Sequence, residues 1–262
     1  MSRRGPTSIQ KGMNAKTRLV ALLAGSVVLA LSGCVSSSRT SATLGVGGGH
    51  YKVKSAGGGS GEARAGLVEA AFESLADNDF GGGVRVRGIR SDDDLDGDGA
   101  GPGSATLQAT DGEWYFHGTY DGADGVDRMP LRFGLSLRRL KVEDTSDQDA
   151  IEWNSVGPRA ELAPEWAISQ WGDDRLAVCG LVGVGYGFTN IQTNLAATDF
   201  ETSALFLDLG LGVRATLNGL ILDLGYRYST SHYSQSEVAS SAIVVETDAD
   251  FSGLVFTIGG RF

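Results

Sequence analysis

The stretch LFLDLGLGVRATLNGLILDLGYRYS, residues 205–229, decides how this chain folds. Every second residue from Leu205 to Leu217 is apolar, and the interleaved set is Phe206, Asp208, Gly210, Gly212, Arg214 and Thr216. Successive side chains of a β-strand point to opposite faces, so one face is oily while the other tolerates charge. Leu220, Leu222, Leu224, Tyr226 and Tyr228 repeat the pattern against Ile221, Asp223, Gly225, Arg227 and Ser229. Asn218-Gly219 between the two runs is a strong hairpin signal, because a two-residue turn of the favoured type needs positive φ at both positions. The two strands are expected to be antiparallel neighbours.

Working outward, the same period governs most of the chain after residue 80. Met129, Leu131, Phe133, Leu135 and Leu137 alternate with Pro130, Arg132, Gly134, Ser136 and Arg138. Leu176 to Phe188 and Leu254 to Phe262 behave likewise, and less regular runs lie at 81–90, 105–120 and 151–168. These make eight expected strands. The connections at 91–104, 143–150, 191–200 and 234–249 are polar and mostly long, whereas 121–128, 169–174 and Asn218-Gly219 are shorter on the whole. An up-and-down barrel in a bacterial outer membrane has this asymmetry, with short periplasmic turns, long external loops and an even strand count.

A soluble sandwich also alternates, but its outward face is rich in Lys, Glu and Thr. Here the interleaved face is glycine-rich with sparse charges of both signs, and Lys141 is the one lysine between residues 55 and 262. Arg132, Arg138, Asp208, Arg214, Asp223, Arg227 and Arg261 are expected to line one narrow lumen, joined by Arg85, Arg87, Glu113 and His117 as weaker members. Opposite charges crowded there can satisfy one another, while an open sheet edge in hydrocarbon would leave backbone amides unpaired. Trp114, Phe116, Tyr120, Trp153, Trp166, Trp171, Tyr186, Phe188, Tyr226, Tyr228 and Tyr233 fall mostly toward strand ends, as interfacial girdles require. The expected fold is an all-β, eight-stranded antiparallel up-and-down transmembrane barrel over residues 81–262, preceded by a flexible linker. Interior charges should plug so narrow a tube, which weakens the reading as a small channel.

At the N-terminus Arg3, Arg4, Lys11, Lys16 and Arg18 precede the apolar run Leu19–Leu31, which is too short to span a bilayer as a helix and suits a secretory signal. Leu31-Ser32-Gly33-Cys34 resembles the lipobox of bacterial lipoproteins. That resemblance implies a signal peptide over 1–33 and lipidation of Cys34, and Val35 after the cysteine resembles lipoproteins sorted to the outer membrane. The start is Met1 or Met13. Residues 34–80, with SSSRTS, GVGGGH and AGGGSG, read as a lipid-anchored Gly/Ser-rich linker. Thr43–Val53 within it reads as a short strand. Ala63–Ala76 has apolar residues at Leu67, Val68, Ala71, Phe72 and Leu75, the three-and-four spacing of an amphipathic helix. Cys179, inside an expected strand, reads as a small packing residue.

GLVFTIGGRF at 253–262, LDLGLGVRATL and LDLGYRYS resemble strands of the OmpA-like eight-stranded outer-membrane barrels, and the terminal phenylalanine is similar to the signal read by the barrel-assembly machinery. The resemblance covers residues 81–262 and implies a bacterial outer-membrane location with the lipid anchor on the periplasmic side. Implied partners are outer-membrane lipids, lipopolysaccharide and the assembly machinery. The lipobox departs from the commonest pattern of that family. A formal charge of −10 argues against nucleic acid as a partner.

Two motifs could carry chemistry. DDDLDGDGAGPG holds Asp94, Asp96 and Asp98 in the order that opens a calcium loop, but the twelfth position is Ala105 where a bidentate glutamate belongs. A solvated acidic loop is the simpler reading, and no metal or other cofactor is expected. His232 and Ser234, with Glu246 beyond the last loop, resemble the outer-membrane lipid A 3-O-deacylases. That resemblance implies Ser234 as nucleophile, His232 as base and Glu246 holding the imidazole's tautomer. In that family the serine is usually followed by Asn and small residues, whereas Gln235 and Ser236 follow here. A structural or surface-interaction role is the leading expectation, with the hydrolase as its alternative and a channel third.

Overall fold

In a computed structural model of the chain, the described residues are 39–262 apart from 57–58, 77–79, 92–95, 99–104, 122–127, 145–149, 173, 194–199 and 236–245. Among them there are twelve strands and no helix: β1 (Arg39–Ser55), β2 (Ser60–Leu75), β3 (Phe80–Ser91), β4 (Asp96–Asp98), β5 (Ala105–Asp121), β6 (Arg128–Asp144), β7 (Ala150–Leu162), β8 (Glu165–Trp171), β9 (Asp174–Thr193), β10 (Phe200–Leu217), β11 (Leu220–Tyr233) and β12 (Thr247–Arg261). Every pairing is antiparallel, and because β1 pairs with both β12 and β2 the sheet closes into a barrel. Closure removes the edges that would otherwise expose unpaired N–H and C=O groups.

The wall has ten strands, not eight. Residues 39–75, expected as linker, supply the additional two. Thr43–Val53 lies within β1, and the segment expected as a helix, 63–76, is strand through Leu75 and pairs with β1 on one side and β3 on the other. Short β4 pairs with the start of β2, inside the stretch expected as a loop. β7 and β8 together make one wall strand, interrupted at Ala163-Pro164 because proline has no amide to give to the ladder. The Ala163 amide donates to the Pro130 carbonyl at 2.9 Å and the Gly180 amide to the Pro164 carbonyl at 2.8 Å, which carries the ladder across the break. Asn218 and Gly219 have φ of 49° and 84°, and β10 and β11 pair from Leu217 opposite Leu220, as the hairpin signal predicts.

The start of β1 and the end of β12 meet at one end, where the Thr40 and Phe262 backbones exchange hydrogen bonds of 3.3 and 2.8 Å. The strand ends at Leu75 and Phe80, Asp121 and Arg128, Trp171 and Asp174, and Leu217 and Leu220 lie at this terminus end, and the remaining strand ends of the wall lie at the opposite, far end.

Each strand changes its polarity partway along. Toward the terminus end the outward face is apolar and exposed, as at Leu44, Val46, Phe133, Leu137, Leu211 and Phe256. Along β6 the outward apolar run from Met129 to Leu137 covers nine residues, roughly 20 Å of height for a rise of about 3.3 Å per residue and a tilt of about 40°. Toward the far end the outward residues turn polar: Arg139, Lys141 and Glu143 on β6, Asn190 and Gln192 on β9, Asp248 and Asp250 on β12, Lys52 and Lys54 on β1. The interior makes the opposite change. Its far half is a buried apolar cluster that includes Tyr51, Leu67, Ile89, Leu107, Leu140, Trp153, Ile191, Phe206, Tyr233 and Phe251. Trp153 and Tyr233, expected in an interfacial girdle, belong to this inner cluster, because their alternation places them on the lumen side. Phe80, Phe116, Tyr120 and Trp171 are exposed toward the terminus end, where a girdle belongs.

Candidate functional site

Below the apolar cluster the lumen holds a layer of buried ion pairs. Arg85 bridges Glu113 and Glu161, each at 2.5 Å. Asp208 accepts from Arg138 at 2.6 Å, from Arg87 at 3.3 Å, and from Arg159. Arg87 also pairs with Asp111, Arg132 reaches Glu161 at 2.5 Å and Glu73 at 2.8 Å, and Arg227 reaches Glu69 at 2.8 Å. The Arg138 guanidinium lies 4.4 Å over the Phe206 ring and so joins the charged layer to the apolar one. Unpaired, any of these charges would be very costly to bury; paired and hydrogen-bonded, they fill the tube.

Inward glycines supply the room. A Cβ on Gly183 would stand 2.7 Å from the Arg159 guanidinium, and one on Gly187 would stand 2.9 Å from the Phe206 ring. A cavity beside Tyr51, Arg138 and Phe251 is only about 20 Å³.

Of the lumen charges expected from sequence, Arg132, Arg138, Asp208 and Arg227 lie in this layer together with Arg85, Arg87 and Glu113. Arg214 and Asp223 pair with each other at 2.8 Å nearer the terminus end, and Arg214 also reaches Glu165 at 2.5 Å. Arg261 stands at the terminus-end mouth. His117 is buried, and among the described residues neither ring nitrogen has a hydrogen-bond partner. Sequence reasoning missed Glu69, Glu73, Asp111, Arg159, Glu161 and Glu165. Arg159 and Glu161 sit at the two-residue spacing of their strand and could have been found. Glu69 and Glu73 were hidden by the helical reading of β2.

Between the charged layer and the terminus end lies a cavity of about 170 Å³. Arg128, Arg214, Arg261, Glu165, Asp223 and Cys179 are among its lining residues.

At the far rim His232 lies on the outward face, half exposed. Its Nδ1 is 2.7 Å from Asp248 and its Nε2 is 3.7 Å from Glu246. The Ser203 hydroxyl donates to the Ser234 hydroxyl at 3.4 Å, and the Ser234 amide donates to the Ser203 carbonyl. The structure thus brings His232 to two carboxylates, and the nearer is Asp248. Cys34 and Asp94 lie outside the described residues, as do residues 1–33, expected as a signal peptide, and 34–38. Asp96 and Asp98 are described only as the backbone of β4. Among the described residues no group of His, Cys, Asp and Glu is placed to hold a metal ion.

No protein-family profile and no curated protein matches the sequence. Solved structures do match. The outer-membrane protease OmpT from Escherichia coli superimposes with a TM-score of 0.50 at 9% identity, over 87% of this chain and 98% of that one. The translocator domain of the autotransporter NalP from Neisseria meningitidis matches at 0.44 and 12%, over 94% and 98%. Neisserial surface protein A matches at 0.36 and 11%, over 87% and 100%. At such identities the likeness is one of fold: an all-β, closed, antiparallel barrel of the outer-membrane type.

Proposed function

We propose that the chain is an outer-membrane lipoprotein barrel, acylated at Cys34 after removal of residues 1–33, with a structural or surface-interaction role in the cell envelope. The observation that carries this reading is the filled lumen within an apolar outer wall. Among the described residues an apolar plug above a layer of ion pairs fills the lumen, which disfavours a channel, and the exposed leucine rows suit hydrocarbon. With Cys34 only five residues before Arg39, an acyl anchor is held within about 18 Å of the wall by chain length alone. Outer-membrane lipids, lipopolysaccharide and, during biogenesis, the assembly machinery are the partners this reading implies.

Envelope extracts compared with and without boiling test the membrane barrel: a mobility shift is expected, and a single unchanged band would count against it. Labelled palmitate should enter the wild type and not Cys34→Ala; equal labelling of both removes the anchor.

A second reading is favoured by the His232–Asp248 contact. A lipid A 3-O-deacylase-like hydrolase would use Ser234 as nucleophile, His232 as base and a carboxylate, Glu246 or its neighbour Asp248, to orient the ring. Mass spectra of lipid A from cells expressing wild type or Ser234→Ala decide between the two. Loss of one acyl chain with wild type alone promotes the hydrolase, and identical spectra retire it for that lipid.

A further inference from the structure

We infer that the seam of β7 and β8 with β9 beside Pro164 is a lateral gate, through which a membrane-dissolved amphiphile places its polar end in the terminus-end cavity. The gate rests on the membrane-barrel reading, because the seam runs through the apolar belt: Pro158 stands opposite Leu135 of β6, and Val182 and Val184 are exposed on β9. Pro130, Pro158 and Pro164 are the prolines among the described residues, and all three fall on β6, on β7 or at the join of β7 to β8. Proline within a closed wall removes a ladder donor, which is why sheets confine it to edges and bulges. The Gly180 amide donates to the Pro164 carbonyl, so alternation turns the backbone groups of every even-numbered residue from 154 to 164 toward β9. Pro158 and Pro164 therefore each delete a bond of this one seam. The Tyr186 and Gly180 carbonyls are left with no amide opposite, and the paired register lapses between Val156 and Arg159 and again after Leu162. Pro130 deletes a further bond, from β6 to the same wall strand.

The cavity abuts this seam from inside. Ala163 and Glu165 on one lip, and Cys179, Gly180 and Leu181 on the other, are among its lining residues. Ion pairs bracket the weakened stretch: Arg159 of β7 holds Asp208 of β10 on the far side of it, and Glu165 of β8 holds Arg214 of β10 at 2.5 Å on the terminus side. Both reach across β9, so they act as clasps between which residues 160–164 and 180–184 can part by local opening while the rest of the ring stays shut. At about 170 Å³, and lined largely by charged and polar groups, the cavity takes a small polar group and not a hydrocarbon chain. A molecule that arrives through the wall must dissolve in hydrocarbon. A ligand meeting both conditions has a polar end for the cavity and an apolar chain that stays in the bilayer.

The test uses the full chain carrying Cys34→Ala, which leaves Cys179 as its single cysteine, folded in phosphatidylcholine vesicles. N-dodecylmaleimide dissolved in the bilayer is expected to modify Cys179, read by peptide mass. Pro164→Ala returns an amide to the ladder and should slow that modification about fivefold, the weight of one backbone hydrogen bond. Modification by a charged, water-soluble maleimide should keep its rate. A dodecyl reagent that does not reach Cys179, or that reaches it equally fast in both chains, overturns the gate, as does an equal slowing of both reagents. Hydrogen exchange needs no substitution at the seam: the Val182 and Val184 amides, which face β7, should exchange faster than those of Leu181 and Gly183, which face β10. Equal or reversed rates count as heavily against it. A chain without a boiling-dependent mobility shift would overturn the membrane barrel itself; with the shift present, each of these failures falls on the gate alone.

Discussion

Arg214 on β10 and Asp223 on β11 stand directly opposite each other across the Asn218-Gly219 hairpin, with the guanidinium 2.8 Å from the carboxylate. With Asp208 and Arg227 they are the four charges that interrupt the runs of the hairpin, and the lumen is where they lie. Their pair is part-exposed and Arg214 keeps Glu165, whereas Asp208 is buried among Arg87, Arg138 and Arg159. Asp223→Ala should therefore lower stability by about 1–3 kcal/mol and Asp208→Ala by about 3–5 kcal/mol, both measured by urea unfolding from detergent micelles. The reverse order would contradict the assignment of Asp208 to the centre of the network.

Phe206 is 1% exposed, packed in the inner apolar cluster, while Phe256 is exposed on the outer wall. Phe206→Ala should lower stability by about 3–5 kcal/mol. Phe256→Ala leaves no interior void and should change it much less. Equal losses at the two positions would mean that the far half of the lumen is not a packed core.

Gly187 faces the Phe206 ring closely enough that a methyl group would overlap it. Gly187→Ala is expected to destabilise by about 1–3 kcal/mol through overpacking, and Phe206→Leu in the same chain should return part of that loss. The check is a double-mutant cycle. Strict additivity would show that the two residues do not share the space.

Leu135 lies in the middle of the apolar run of β6, and Thr110 faces outward on β5 above it. In lipid vesicles, Leu135→Arg should reduce folding stability by about 2–4 kcal/mol, and Thr110→Arg by about 0–1 kcal/mol, following the depth dependence of charged residues on a lipid-facing wall. Comparable losses would place the hydrocarbon boundary elsewhere.

The barrel class and the central strands were legible in the sequence because alternation needs only a two-residue period and one constant inner face. What hid the rest is the change of polarity partway up the wall. On β2, Ala63, Ala65 and Leu67 point inward above the charged layer, while Val68, Ala70 and Phe72 point outward beside it. The apolar set therefore shifts by one position at Leu67–Val68 and leaves a spacing that imitates a helix. A ten-stranded ring consequently read as eight strands after a linker.

The start of β12 has Asp248, Asp250 and Ser252 outward against Ala249 and Phe251 inward, the reverse of the pattern after Gly253, so its first residues, 247–249, fall within the stretch expected as a loop. The lumen charges were legible from period-two spacing on β3, β6, β10 and β11, but which carboxylate serves which arginine depends on strands brought together from far apart in sequence. Asp208 and Arg87, for instance, are 121 residues apart.

That mid-wall reversal has a mechanical consequence on the membrane reading. It acts as a waterline drawn around the hull: a displacement of a few residues along every strand toward the terminus end would drag Arg139, Asp250 and Lys52 into oil, and the opposite displacement would lift leucines into water. Immersion depth is thus fixed by the whole circumference at once, and a bilayer of a different thickness would have to deform around the protein, not the protein within it.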